Sequence, residues 1–296
     1  FGLISGNANI VRLSQKTTEQ DQIILKNISQ LFKRNKYKKL KENNAFVRYQ
    51  QDDIINSYLC SYADAKVVWG GNKTVEYFKN IKSKPKIREV FFPDRFSIGV
   101  LDANKLKLLN EQAFKQLIKN FYNDTYLVDQ NACSSPRLIV WLNDKTNKMK
   151  KKFWSSLKLR LNNYDLTLSR GYEKILTLYD FLSGGKYEMS SDPKDESIFV
   201  VKVSSLEKLE NLSKLKLGIF LEYDAKALDE VFKIDMPALQ TLSYFGLKKE
   251  QMLKCFNKQK NRAFDRIVPM GTVLGMDMNW DGYTIPYTLS RVINLE

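Results

Sequence analysis

Apolar positions along the chain fall into two alternating rhythms. Short β-branched and aromatic runs read as strands at Ile10–Leu13, Ala45–Tyr49, Ala65–Trp69, Glu89–Phe92, Ser97–Leu101 and Arg137–Leu142. Between them, apolar residues recur three and four positions apart, the spacing of one helical face. Thr17-Thr18-Glu19 opens one such helix, whose stripe is Ile23, Ile24, Asn27, Leu31 and Phe32. Asp52-Asp53 opens another, carrying Ile54, Ile55, Tyr58, Leu59 and Tyr62. A helix from Thr74 has Val75, Phe78 and Ile81 on one side, and Asn104–Tyr122 reads as a single amphipathic helix burying Leu106, Leu109, Ala113, Leu117 and Phe121. Strands alternating with helices predict an α/β layered fold.

After Asn143-Asp144 the predicted helices lengthen, at Lys148–Leu161 and Ser169–Leu182, and Gly184-Gly185 breaks the pattern. Strands follow at Ser197–Val203, Leu217–Leu221 and Leu239–Phe245, with helices at Ser205–Leu212 and Lys248–Phe256. No internal repeat interrupts this order. A second α/β unit is expected to begin near Cys133, which divides the chain into residues 1–128, 129–265 and a C-terminal segment 266–296.

Composition narrows the chemistry. The 296 residues include 43% hydrophobic and 12% aromatic side chains, globular values, and no apolar run is long enough for a membrane helix. The three cysteines lie far apart without metal-ligand spacing, and there is no histidine. That removes Ser-His-Asp and Cys-His nucleophiles and predicts no metal site. A reduced, cytoplasmic protein with free thiols is the expectation. The net charge of +15 comes from dispersed lysines, with clusters at Lys33–Lys41 and Lys148–Lys152. Without a zinc-finger spacing, RNA-recognition motif or basic zipper, a solvated lysine-rich surface accounts for it better than a nucleic-acid groove.

Two stretches carry candidate chemistry. In Val128-Asp129-Gln130-Asn131-Ala132-Cys133-Ser134-Ser135-Pro136 a thiol sits among small polar residues directly before an apolar strand. It is either a small buried hydrophobe or a nucleophile held on a short loop. With no histidine, such a nucleophile needs backbone donors, a helix amino terminus or a nearby cation. Upstream, the strand Ala65–Trp69 runs into Gly70-Gly71 and then a helix. That arrangement receives phosphate on free backbone N–H groups, or uses its glycines only for the tight turn.

Four islands in order resemble the aldehyde dehydrogenase superfamily, and specifically the LuxC-type acyl-CoA reductases. Gly6-Asn7-Ala8-Asn9-Ile10-Val11-Arg12-Leu13-Ser14 is similar to the superfamily's cofactor loop, with Arg12 in place of its lysine. Val68-Trp69-Gly70-Gly71-Asn72 resembles the second nucleotide loop, Asp129–Pro136 the catalytic cysteine loop, and Arg266-Ile267-Val268-Pro269 with Trp280-Asp281-Gly282-Tyr283 the C-terminal signature. The resemblance implies an aldehyde dehydrogenase-like fold, with a partial Rossmann-type nucleotide-binding domain over 1–128 and an α/β catalytic domain over 129–265. Residues 266–296 would return to the cofactor domain or to a subunit interface.

For function, the resemblance implies a thioester reductase. Cys133 would accept the acyl group of an acyl-CoA or acyl-protein thioester, and hydride from NADPH would reduce it to an aldehyde. Arg12 and Ser14 would meet the adenosine end of the cofactor, Arg12 favouring a 2′-phosphate, and Gly70 and Gly71 would face its phosphates. The superfamily's water-activating glutamate has no counterpart at Val90–Pro93, with Glu89 only adjacent, and that departure favours reduction over hydrolysis. Trp280 and Tyr283 would line the acyl pocket or belong to a core or interface. A homo-oligomer and an acyl-protein synthetase partner are further implied. In the family an N-terminal portion, including an oxyanion-hole asparagine, precedes the first island. An unpaired sheet edge is therefore expected here, and the alternative is an inactive remnant or scaffold subunit for the synthetase.

Overall fold

The computed structural model describes residues 1–296 except 186, 192–195, 208, 210 and 260–262. The chain divides into two units, Phe1–Pro93 with Met278–Glu296, and Asp94–Asp277. This division differs from the boundary near Cys133 read from the sequence. The reason is sheet continuity: the strand at Phe96–Asp102 pairs directly with the strand that follows Cys133.

In unit 1, β1 (Asn9–Arg12) pairs in parallel with β2 (Asn44–Val47), joined through α1 (Glu19–Phe32) and α2 (Lys38–Glu42). A capping box starts α1: the Thr18 hydroxyl accepts from the Asp21 N–H and the Asp21 carboxylate accepts from the Thr18 N–H, both at 3.2 Å. Asp52 caps α3 (Asp53–Tyr62) by accepting from the Ile55 N–H at 2.9 Å. Next come β3 (Ala65–Trp69), α4 (Asn72–Asn80) and β4 (Arg88–Phe92), with β3 and β4 parallel. A small core of Val90, Phe92, Trp280 and Ile285 is closed by Phe1, Tyr283 and Leu289. Trp280 is therefore a core residue of this unit, with Tyr283 packed against it. The apolar stripes of α1 and α3 face outward: Ile24 is 56% and Ile54 82% exposed.

In unit 2, β5 (Phe96–Asp102), β6 (Pro136–Leu142), β7 (Glu188–Met189), β8 (Phe199–Lys202), β9 (Ile219–Ala225), β10 (Leu239–Phe245) and β11 (Arg266–Pro269) form one sheet in the order β11-β10-β5-β6-β9-β8-β7. Every pairing is parallel except that of β7. All of β6 is buried, as a central parallel strand requires. Strand alternation sends Leu138, Val140 and Leu142 into one layer and Ile139 and Trp141 into the other. On the first face pack α8 (Leu168–Ser183), α9 (Leu228–Phe232) and α10 (Lys249–Lys258); on the second pack α5 (Ala103–Lys107), α6 (Glu111–Thr125) and α7 (Lys148–Arg160).

Two predicted helices differ. Asn104–Tyr122 is broken into α5 and α6, because Asn110 turns its side chain back to accept from the Ala113 N–H at 2.8 Å and so starts a new helix. Of Ser205–Leu212, Lys208 and Glu210 lie outside the described residues. The others form bends and turns, and Asn211, left-handed at φ 60°, leads into a single 3-10 turn at Leu212–Lys214.

The ladder is irregular at one place only along β5. Between Leu239 and Leu242, β10 carries two residues where β5 has Ser97 alone. On the other side, β6 inserts Arg137 between the partners of Ser97 and Ile98. Bulges of this kind bend a strand and re-aim its side chains. Both flank Ser97, at the amino ends of the strands.

Candidate active site

The loop that carries Cys133 is held open against its own backbone preferences. After α6 a 3-10 turn, Tyr126–Val128, leads into Asp129 and Gln130 at φ 50° and 58°, left-handed values that cost non-glycine residues about 1 kcal/mol or more each. Their side chains supply the compensation. The Gln130 amide donates to the carbonyls of Pro136 (3.0 Å) and Ile219 (3.2 Å) and accepts from the Gly218 N–H (3.0 Å). Asp129 accepts from the Tyr164 hydroxyl at 2.7 Å and pairs with Arg170. Ser135 donates to the Asp124 carbonyl at 2.7 Å, tying the loop to the end of α6.

Cys133 is half-buried, whereas Cys60 and Cys255 are buried. Burial pushes the Cys60 and Cys255 thiols up, which keeps them protonated and inert. Cys133 instead receives a hydrogen bond on Sγ from Gln240 Nε2 at 3.3 Å. Its carbonyl accepts from the Ser97 hydroxyl at 2.8 Å, and Ser97 Oγ in turn accepts from the Thr241 N–H at 3.1 Å. The two bulges thus converge on the thiol, one aiming Gln240 at it and the other placing Arg137 in the strand that follows it.

Arg137 is 3% exposed and donates to three carbonyls: Leu215 at 2.6 Å, Gln130 at 3.1 Å and Arg95 at 3.5 Å. Burial pulls its pKa down to about 10, while the charges of Cys133 and Asp94 act in the opposite sense. This is a fixed cation within electrostatic reach of the thiol, solvated by peptide dipoles.

These groups sit at the amino ends of the parallel strands, whereas ligands of open α/β sheets commonly lie beyond the carboxyl ends. At that other end, the loops after β5 and β10 are pressed together. Gly246 adopts φ 82°, and a side-chain carbon there would lie 2.7 Å from Lys105 Cβ and 3.1 Å from Asp102 Cβ. An open groove of about 510 Å³ lined by Glu111, Lys115, Lys119 and Arg160 runs along the outer face of α6, away from the thiol at that helix's other end.

Asp124 is a second buried titratable group beside the loop. Its carboxylate accepts from the N–H groups of Gly271 (2.5 Å) and Val273 (3.3 Å), and burial raises its pKa to about 6 against those two bonds.

The residues expected to bind cofactor all lie in unit 1. Arg12 ends β1 exposed, its guanidinium 4.8 Å over the Tyr49 ring, and Ser14 accepts from the Lys16 N–H at 3.2 Å. Gly71 is the N-cap of α4, with no side-chain cap on the first helical N–H groups. Gly70 has a steric reason too, since a side-chain carbon there would meet Thr74 at 3.0 Å. Tyr49 donates to Asn56 at 2.8 Å and Asn56 to Tyr77 at 3.1 Å, a chain of contacts from the Arg12 platform to α4. Glu89 is paired with Lys66 at 2.8 Å.

Sequence reasoning missed Gln240, Ser97 and Arg137 as neighbours of the thiol. One signal was available: Leu239 and Leu242 are three apart in a strand, a slip in the two-residue alternation that marks the bulge.

The family model of the LuxC acyl-CoA reductases matches residues 1–175. The chain belongs to this family. Solved structures agree on the fold. Proline utilization A from Bradyrhizobium japonicum superposes with TM-score 0.65 at 13% identity, over 97% of this chain and 31% of that one. An NAD-dependent aldehyde dehydrogenase from Sinorhizobium meliloti gives 0.55 at 9% identity, over 77% of this chain and 47% of that one. Betaine aldehyde dehydrogenase from Staphylococcus aureus, in complex with NAD+, gives 0.55 at 10% identity, over 81% and 52% respectively. The LuxC-family chain therefore has the aldehyde dehydrogenase fold and spans about half or less of these relatives' lengths. No curated protein matches it in sequence. Among the described residues, no helix is long and apolar enough to cross a membrane.

Proposed function

We propose that this protein reduces an acyl thioester, acyl-CoA or acyl-protein, to an aldehyde through an acyl-enzyme on Cys133. The observation that carries the reading is the half-buried Cys133 thiol on a braced loop, with a hydrogen-bond donor on its sulfur and the buried Arg137 cation nearby, in a chain of the LuxC acyl-CoA reductase family. Both the amide donor and the cation favour the thiolate, the form that attacks carbonyl carbon. The Cys133 backbone N–H is an oxyanion donor of the kind such attack requires. No histidine is needed, since the leaving CoA sulfur departs as a stabilised thiolate.

The residues of unit 1 fit a dinucleotide. The uncapped start of α4 at Gly71 offers backbone N–H groups to a phosphate, and the exposed Arg12 suits a 2′-phosphate, which favours NADPH. When bound, a reduced nicotinamide supplies the hydride that converts the acyl group to an aldehyde. Glu89 is held by Lys66, and the place of the superfamily's water-activating glutamate holds no acid, which leaves the acyl-enzyme to reduction rather than hydrolysis.

The test is NADPH consumption with octanoyl-CoA and trapping of the aldehyde. Cys133→Ser is expected to abolish turnover. Arg12→Ala is expected to raise KM for NADPH about tenfold while leaving that for NADH nearly unchanged, as removal of a charge-assisted contact would. Full turnover in Cys133→Ser would overturn the proposal, and a folded protein that binds no NADPH would favour the scaffold alternative.

A further inference from the structure

We propose that Gln240 is a catalytic residue: its side-chain amide holds the Cys133 sulfur before reaction and passes to the carbonyl oxygen of the thioester as the sulfur attacks. The proposal rests on the acyl-enzyme reading above and adds to it a donor that no motif in the chain marks.

The geometry is built for this contact. Gln240 lies 107 residues from Cys133 in sequence and is 2% exposed, yet its Nε2 is 3.3 Å from Sγ. It reaches that position because β10 carries an extra residue opposite Ser97, and the Thr241 N–H turns aside to Ser97 Oγ. Thr241 Oγ1 lies 3.4 Å from Gln240 Oε1, which leaves the NH2 end of the amide towards the sulfur. The main chain of Gln240 is tied separately, its carbonyl accepting from the Asp265 N–H at 3.0 Å, so the side chain can be changed without removing that tie.

The chemistry follows from where charge moves. Attack requires the thiolate, in which the negative charge lies on sulfur. When Sγ bonds to the carbonyl carbon, the π pair of the carbonyl moves to oxygen. Collapse of the adduct re-forms that carbonyl, breaks the bond from carbon to the CoA sulfur, and releases CoA as a thiolate that takes a proton from water. Oxygen and Sγ are bonded to the same carbon in the adduct. A donor already on the sulfur therefore needs only a small displacement to reach about 2.7–3.1 Å from the oxyanion. The amide keeps its protons throughout, so Gln240 stabilises both charged states and serves as neither acid nor base. A carboxylate in its place would repel both.

The experiment omits cofactor and compares two reactions of Cys133 in the full chain. Alkylation by iodoacetamide needs the thiolate but develops no oxyanion. Acylation by octanoyl-CoA, read as stoichiometric CoA release, or by p-nitrophenyl acetate, read as p-nitrophenol release, needs both. Gln240→Leu is expected to slow acylation about 100-fold, the usual loss for one oxyanion donor, and alkylation less than tenfold. Gln240→Glu, nearly isosteric, serves if the leucine variant does not fold, and is expected to slow acylation at least as much. Equal slowing of the two reactions, or of neither, would overturn the proposal. Wild-type protein acylated by the nitrophenyl ester but not by octanoyl-CoA would defeat the thioester reading alone, because the variants still decide Gln240 with the ester. If Cys133 takes an acyl group from neither reagent, both fall.

Discussion

Unit 2 holds its candidate chemistry in a sheet buried on both faces, while unit 1 presents its candidate binding residues from two separate strand pairs. In unit 2 each side chain near Cys133 belongs to a strand end fixed by neighbours on either side, and the core beneath includes Phe121, Phe153 and Phe220, each fully buried. In unit 1 the largest buried cluster is the small group of Val90, Phe92, Trp280 and Ile285, and Ile24, Ile54 and Trp69 are more than half exposed. Two-stranded elements have little independent stability in water. The geometry proposed for bond formation at Cys133 is therefore held within one unit, whereas the residues proposed for cofactor sit where burial holds the backbone least.

The largest expected effect separates the two units directly. Phe121→Ala removes a ring packed on Phe153, Trp154 and Phe220, and is expected to cost about 3–5 kcal/mol in urea unfolding. Trp69→Ala removes a ring that is 57% exposed and lies tilted against Phe92, and is expected to cost about 1 kcal/mol or less. Equal losses would break the comparison.

A smaller effect concerns pH. The Asp124 carboxyl is raised from 3.8 to about 6 in the fold, so the folded protein binds that proton more tightly than the unfolded chain. Its contribution to stability is greatest below about pH 4 and is lost as pH rises through about 6, by roughly 3 kcal/mol at most. Asp124→Asn is expected to flatten the fall in stability between those values. An unchanged slope in urea titrations across that range would show that Asp124 titrates normally.

Much of the fold was legible because burial and periodicity coincide in unit 2. The strand at Leu239–Phe245 was read to its end residues, and α7, α8 and α10 within one or two. The stripe continuing past Asn110 hid the break in the helix there, because a cap is a hydrogen-bonding event that apolar spacing does not register. Cys133 stood out since its loop is a contiguous motif. Gln240 did not, since a bulge on a strand far along the chain delivers it, and only the spacing of two leucines betrays that bulge. Arg137 was visible as a charge inside an apolar run, but two of its carbonyl partners, Leu215 and Arg95, lie on segments far from it in sequence.

Whether Cys133 accepts the acyl group is read most directly by peptide-mapped mass spectrometry of the protein incubated with octanoyl-CoA and no nicotinamide. One octanoyl group is expected on Cys133, absent from Cys60 and Cys255, and discharged on adding NADPH. An unmodified Cys133, or equal labelling of Cys133→Ala, would contradict this expectation.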